Sequence, residues 1–154
     1  MPRIATADHV EREALLEFLR PRHRGLLSTT RAGGRPQMSP VACGVDPQDR
    51  IVVSTYPDRA KARNARRDPR VSICVLSEEW DGPHVQVDGR ARVLDMPGAL
   101  DGLVDYFRCI SGEHPDWDEY REAMVRQNKS LIRIEIEDWG PIATGGFPPH
   151  LAES

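Results

Sequence analysis

A chain of 154 residues, 39% hydrophobic and 29% charged, has the size and composition of one globular domain with its own core, spanning 1–154. Its formal net charge of −3 supplies no global positive excess to hold nucleic acid or an anionic membrane, so any anion site must be local. No apolar run approaches the roughly 20 residues that span a bilayer, and MPRIATADHVERE lacks the basic-then-apolar order of a secretion signal. A cytoplasmic protein with no membrane partner is the expectation.

From His9 to Arg22 the apolar residues Val10, Ala14, Leu15, Phe18 and Leu19 recur at helical spacing, and Pro21 falls near the end. Strands follow at Arg24–Thr30, Pro36–Val45 and Ile51–Tyr56, separated by the turn-forming stretches AGGRP and DPQDR. The third of these delivers the chain to a basic segment, Asp58 to Ile73, which opens with a short helix that ends before Pro69. Arg70–Ser77 and His84–Asp95 are the next strands, the second alternating with Val85, Val87, Gly89, Ala91 and Val93 on one face. Two helices come next. Leu100, Leu103, Val104, Phe107 and Ile110 stripe the first, and Trp117, Tyr120, Ala123 and Met124 the second, with Pro115 placed as a helix-start proline. The last strand, Ser130–Glu137, points Ile132, Ile134 and Ile136 inward and Arg133, Glu135 and Glu137 toward solvent. The tail, about residues 140–154, is Gly/Pro-rich and reads as irregular. Six closely spaced strands with helices early and late favour a mainly β, α+β architecture: a small antiparallel barrel decorated by helices.

The segment DRAKARNARRDPRVSI carries Arg59, Lys61, Arg63, Arg66, Arg67 and Arg70. Arg59 and Lys61 stand just past the carboxyl end of a strand, at a helix start. There free N–H groups and the helix dipole add partial positive charge, so a phosphate is the natural guest. The remaining arginines read as a solvated face that pairs with acids elsewhere. The three cysteines, Cys43, Cys74 and Cys109, are widely spaced in apolar surroundings and read as buried, reduced thiols. The five histidines never fall at a metal-binding i, i+4 spacing, and HExxH, GxSxG and GxGxxG are all missing, so no metal and no side-chain catalyst is expected. Aromatic content of 6% and the acidic balance argue against a nucleic-acid partner.

Taken with GRPQMSP, VVSTY and GEHPDWDEYREAMV, in that order and spacing, the basic segment resembles the flavin/deazaflavin-binding split β-barrel family. This family is similar in fold to pyridoxamine 5′-phosphate oxidase, and the resemblance is strongest to its actinobacterial branch that uses coenzyme F420. It covers about Arg24 to Glu137. It implies a six-stranded antiparallel split β-barrel that forms a homodimer with cofactor sites in grooves at the subunit interface. It also implies hydride transfer between reduced F420 and a small conjugated acceptor, with the cofactor carrying the chemistry.

The cofactor-binding positions implied are Gln37 and Ser39 toward the ring, Ser54 and Thr55 along the ribityl chain, and Arg59, Ala60 and Lys61 at the phosphate. Asn64 reaches the phosphate or caps local backbone. Gln37 and Ser39 share a strand face with Val41 and Cys43; the alternative for both is an edge facing solvent. Trp80, in SEEWDGPH, would cover the ring or substrate, or pack at an ordinary interface. Trp117 and Tyr120 follow a helical stripe and read as core or dimer contacts. Pro40 departs from relatives that carry a polar residue there. The recognition constellation of a true pyridoxamine-phosphate oxidase is missing. An FMN-dependent oxidase or reductase on the same fold, and a non-catalytic F420 or FMN carrier, are the alternative readings.

Overall fold

The computed structural model describes residues 3–152. Its centre is a closed barrel of six strands, β2 (Arg24–Thr30), β3 (Pro36–Val45), β4 (Ile51–Thr55), β5 (Arg70–Leu76), β6 (Val85–Leu94) and β7 (Ser130–Trp139). Around the barrel the order is β2-β3-β4-β7-β6-β5, and every ladder is antiparallel. Alternation explains it. Leu27, Cys43, Val53, Ile73, Val87 and Ile134 come one from each strand, all essentially unexposed, and meet in one interior cluster. The first helix, α1 (Arg12–Leu19), adds Leu15, Leu16 and Leu19 to it.

One seam of the barrel is open. β3 pairs with the whole of β2 through Pro36 to Ala42, but with β4 only over Cys43–Val45. Beyond that point β4 runs with β7 instead, so the Pro36–Ala42 stretch has no strand on its second edge. This divergence is the split. Next to it lies α2 (Ala60–Arg67), set against β2, β3 and β6, with Ala62 and Ala65 buried where small side chains permit close approach.

A second core lies outside the barrel. Helices α3 (Leu100–Ser111) and α4 (Trp117–Gln127) cover the outer face of β4 and β7, packing Leu103, Val104 and Tyr120 on Val52 and Leu131. The outward side of β7 is therefore not simply solvated. Arg133 lies under α3 with its Nε buried and without a hydrogen-bond partner among the described residues. Trp117 and Tyr120 join Phe107 and His114 in a ring cluster with centroids 5.1 to 5.8 Å apart. Pro115 precedes the N-cap rather than opening the helix. The cap is Asp116, whose carboxylate accepts from the Glu119 amide at 3.1 Å.

At Gly89 the β6–β7 register shifts, and a Cβ there would stand 2.4 Å from the Glu135 carbonyl oxygen, so only glycine fits the approach.

The tail departs from expectation. β8 (Ile142–Thr144) pairs with β1 (Thr6–Asp8), Ile4 bridges Phe147, and a short helix α5 (Pro149–Ala152) follows. Strand β1 occupies ground just before the expected helix, which starts at Arg12 and ends at Leu19 rather than running from His9 to Arg22. All three cysteines are free, but only Cys43 is fully buried; Cys74 and Cys109 are half-buried. Burial, followed by the neighbouring Cys109, pushes the Cys43 thiol up to about 12, so it is inert as a nucleophile. No helix among the described residues is long and apolar enough to cross a membrane.

Candidate functional site

Tertiary contacts sort the basic segment into two groups. Arg66 chelates both Asp95 oxygens at 2.7 and 2.8 Å, Arg70 grips Asp68 at 3.0 Å, and Arg67 donates to the Thr30 carbonyl at 2.9 Å and to Asn64 Oδ1 at 2.7 Å. These three are structural. Arg59, Lys61 and Arg63 have no carboxylate within ion-pair distance among the described residues.

Arg59 is the N-cap of α2, with extended backbone (φ −68°, ψ 147°) and no side-chain cap. The first helical N–H groups, at Ala60 and Lys61, therefore have no intrahelical acceptor. Lys61 is half-buried, and its pKa is lowered, first by burial and then by the Arg59 charge. The pair is thus an uncompensated concentration of positive charge at a helix start. Tyr56 forms a floor beside it: the Arg59 guanidinium lies 5.7 Å from the ring centroid and the Lys129 ammonium 4.3 Å from it.

Immediately before this turn, Thr55 is 4% exposed, and its Oγ1 is buried without any hydrogen-bond partner among the described residues. An orphaned buried hydroxyl costs about 1–3 kcal/mol, so its persistence at a strand end four residues before the Arg59 cap fits a ligand acceptor. Ser54 does not share that position. Neighbours on a strand point to opposite faces, and Ser54 points outward toward Tyr106, whose hydroxyl donates to the Ala42 carbonyl at 3.0 Å. Of the two expected hydroxyls, Thr55 alone faces inward with Val53.

Gln37 and Ser39 do share the inward face with Val41 and Cys43, beside the unpaired stretch of β3, and both are half-buried. Gln37 Nε2 donates to Ser39 Oγ at 2.8 Å. Asn64 neither caps local backbone nor points freely at the phosphate position. It is 7% exposed, with Nδ2 donating to Thr29 Oγ1 at 3.1 Å and Oδ1 held by Arg67. Thr29, itself 1% exposed, is a site residue that the sequence pattern concealed.

Trp80 lies apart from this group within one chain. It is 88% exposed and lines a depression of about 550 Å³ on the outer barrel face, with Arg24, Leu26, Pro40 and Leu76. That depression contains none of Gln37, Ser39, Thr55, Arg59 or Lys61. Among the described residues, no cluster of His, Cys, Asp and Glu could hold a metal.

A closed antiparallel barrel with one split seam, and beside the seam an unpaired cation pair backed by inward polar side chains, defines a split barrel of the flavin- and deazaflavin-binding type. The chain belongs to the pyridoxamine 5′-phosphate oxidase family, whose amino-terminal region it matches over residues 12–143. Solved structures of the same fold include a conserved hypothetical protein from Mycobacterium tuberculosis, 22% identical, with TM-score 0.71 over 89% of this chain and 87% of that one. An F420 reductase is 18% identical, with TM-score 0.59 over 80% of this chain and 94% of its own. A FAD-binding protein from Mesorhizobium loti is also 18% identical, with TM-score 0.66 over 93% and 100%.

Proposed function

We propose that this protein is an oxidoreductase that binds a phosphorylated flavin-type cofactor, coenzyme F420 in preference to FMN, and reduces a small conjugated acceptor. The observation that carries the reading is the Arg59–Lys61 pair, free of carboxylates and adjoining the orphaned Thr55 hydroxyl. Arg59 and Lys61 would grip the phosphate with charge-assisted hydrogen bonds, and the Ala60 and Lys61 amides would add donors. Gln37 and Ser39 would meet the polar edge of the ring. The bound cofactor supplies hydride chemistry; the chain's part is to hold, orient and exclude water. Exposed Arg63, without a carboxylate partner, supports F420 over FMN because it can attract the cofactor's anionic tail.

A homodimer belongs to the same proposal. Five surface depressions of the single chain, of about 320 to 550 Å³, hold none of Gln37, Ser39, Thr55, Arg59 and Lys61, in keeping with a groove that a second copy completes. Leu26, Met38 and Pro40 on β2 and β3, with Trp80 from the loop between β5 and β6, form an apolar outer face that a second copy would cover; Met38 and Trp80 are 61% and 88% exposed.

Titration of the wild-type chain, Arg59→Ala and Lys61→Ala with F420 and with FMN tests the reading. Each substitution should weaken binding by at least about tenfold, as expected for a lost charge-assisted bond, with the fold intact by circular dichroism. Unchanged affinity in both variants refutes the pocket. Oxidation of reduced F420 against enones and quinones then separates an enzyme from a carrier, and tighter binding of FMN would move the assignment to the FMN-dependent alternative.

A further inference from the structure

Polar side chains at the inward mouth of the barrel form one continuous line from α2 to β3. Arg67 Nη2 donates to Asn64 Oδ1 at 2.7 Å, and Asn64 Nδ2 donates to Thr29 Oγ1 at 3.1 Å. Thr29 Oγ1 donates to Gln37 Oε1 at 3.3 Å, and Gln37 Nε2 donates to Ser39 Oγ at 2.8 Å. Thr29 and Asn64 are more than nine-tenths buried, so water cannot substitute for the inner links.

Groups with a single hydrogen-bonding role fix the direction of this line at both ends. A guanidinium only donates, so Asn64 must turn its oxygen to Arg67 and its amide to Thr29. The Thr29 hydroxyl, having accepted one bond, has its one proton left for Gln37 Oε1. At the far end the Met38 carbonyl, 3.3 Å from Gln37 Nε2, only accepts. A flipped Gln37 would set two oxygens together there and strand the Thr29 proton. Ser39 therefore accepts from Gln37 and keeps its own proton. Among the described residues Ser39 Oγ has no other partner, and it stands beside the open edge of β3.

We propose that Arg67, Asn64 and Thr29 are positioning residues that orient Gln37 and leave the Ser39 hydroxyl as a donor toward the split. The ligand edge that takes this proton is then an acceptor, a ring carbonyl or an unprotonated ring nitrogen. This rests on the cofactor reading and adds to it the chemistry the heterocycle presents at this wall. Gln37 acts through Ser39, and the three buried residues act through Gln37.

The test compares FMN and F420, which carry the ring, with ribitol 5-phosphate, which carries only the phosphate arm. Ser39→Ala should weaken FMN and F420 by about five- to tenfold, the worth of one neutral hydrogen bond, and leave ribitol 5-phosphate unchanged. Thr29→Val should give the same selective loss, Thr29→Ser should restore wild-type affinity, and Thr29→Val/Ser39→Ala should be no weaker than Ser39→Ala alone. Asn64→Asp keeps the Arg67 bond but can only accept, so the Thr29 proton turns to it and the line loses its direction. This variant should weaken the ring-bearing probes more than ribitol 5-phosphate, whereas the added charge alone would weaken all three alike. Wild-type FMN and F420 affinity in folded Thr29→Val, additive losses in the double variant, or an equal loss for ribitol 5-phosphate overturns the relay. Failure of both FMN and F420 to bind the wild-type chain overturns the relay together with the cofactor reading. Ring binding that is lost in Lys61→Ala but kept in Thr29→Val overturns the relay alone.

Discussion

Filling the cation pair with a phosphate should draw a proton onto Lys61 at alkaline pH. In the ligand-free chain its pKa lies below the ordinary lysine value, because burial and then Arg59 disfavour the charged form. A phosphate about 4 Å away offers about 4 kcal/mol per unit charge at an effective dielectric of about 20; for a half-exposed group, screening reduces this by roughly half. The phosphate monoester of FMN carries about −1.5 to −2 charge, so its attraction still outweighs the single repulsion from Arg59 and occupancy raises the Lys61 pKa; the singly charged phosphodiester of F420 acts in the same direction with less force. Affinity for FMN or F420 should be flat near neutrality. It should then fall by up to about tenfold per pH unit, about 1.4 kcal/mol, once pH passes the lowered free-state pKa. Calorimetric titration in buffers of different ionisation enthalpy should report net proton uptake in that window. Arg59→Ala removes one of the two causes and should move the onset to higher pH, while Lys61→Ala should abolish the dependence. The stability of the ligand-free chain follows the opposite trend. Between the lowered folded-state pKa and the unfolded value of about 10.4 the unfolded chain holds more protons, so stability rises with pH there. An affinity that stays flat all the way up to the ordinary lysine value of about 10.4 in the wild-type chain, or the same slope in Lys61→Ala, would refute the reasoning.

Replacing Thr55 by valine removes an orphaned hydroxyl at constant shape, so the ligand-free protein should gain about 1 kcal/mol in urea unfolding while phosphate-ligand affinity falls about fivefold. A destabilised variant would mean that the hydroxyl already has a partner. Gly89→Ala drives a Cβ to 2.4 Å from the Glu135 carbonyl and 2.6 Å from Ile134 Cγ2, both on β7. The expected cost is about 2–3 kcal/mol, or a fall in Tm of about 5–10 °C by calorimetry; a change within about 1 °C would place the strain elsewhere. The Asp95 carboxyl is held below the usual carboxylate range by the buried Ser130 hydroxyl at 2.5 Å and then by Arg66. It should therefore contribute stability above its unfolded pKa of about 3.9 that is lost as pH falls through the lower folded value. Asp95→Asn should cost about 1 kcal/mol near neutrality and converge on the wild type in acid, and a gap that persists in acid would contradict that assignment.

Strands were readable wherever one face alternates. The run from Val85 to Val93 and the isoleucines of β7 both point where period two sends them. The β1–β8 pair was not, because three-residue strands reading TAD and IAT are too short to show a period, and their pairing joins the two ends of the chain. The same periodicity should have separated Ser54 from Thr55, since adjacent strand residues cannot face one ligand. Sorting the arginines needed tertiary partners. Arg66 is neutralised by Asp95 across 29 residues and Arg67 is held by a backbone carbonyl and an amide oxygen, leaving Arg59, Lys61 and Arg63 without a carboxylate among the described residues. Thr29 gave no signal at all: a threonine in a strand is unremarkable until Asn64, 35 residues on, is brought against it.

The features that do not favour the isolated chain gather around one seam. Thr55 keeps a buried hydroxyl unpaired, Lys61 is charged beside Arg59 in partial burial, and Pro36–Ala42 leaves a strand edge open. Each would be removed by an ordinary substitution: valine for Thr55, a neutral residue for Lys61, a longer β4 to close the barrel. Nothing in the core requires them, because the interior apolar cluster and the outer cluster under α3 and α4 are complete without these groups. A ligand with phosphate oxygens at one end and ring acceptors at the other answers the first two deficits and meets the Ser39 hydroxyl at the third. That coincidence of unrelated deficits beside one seam is the physical reason for the proposed position of the cofactor.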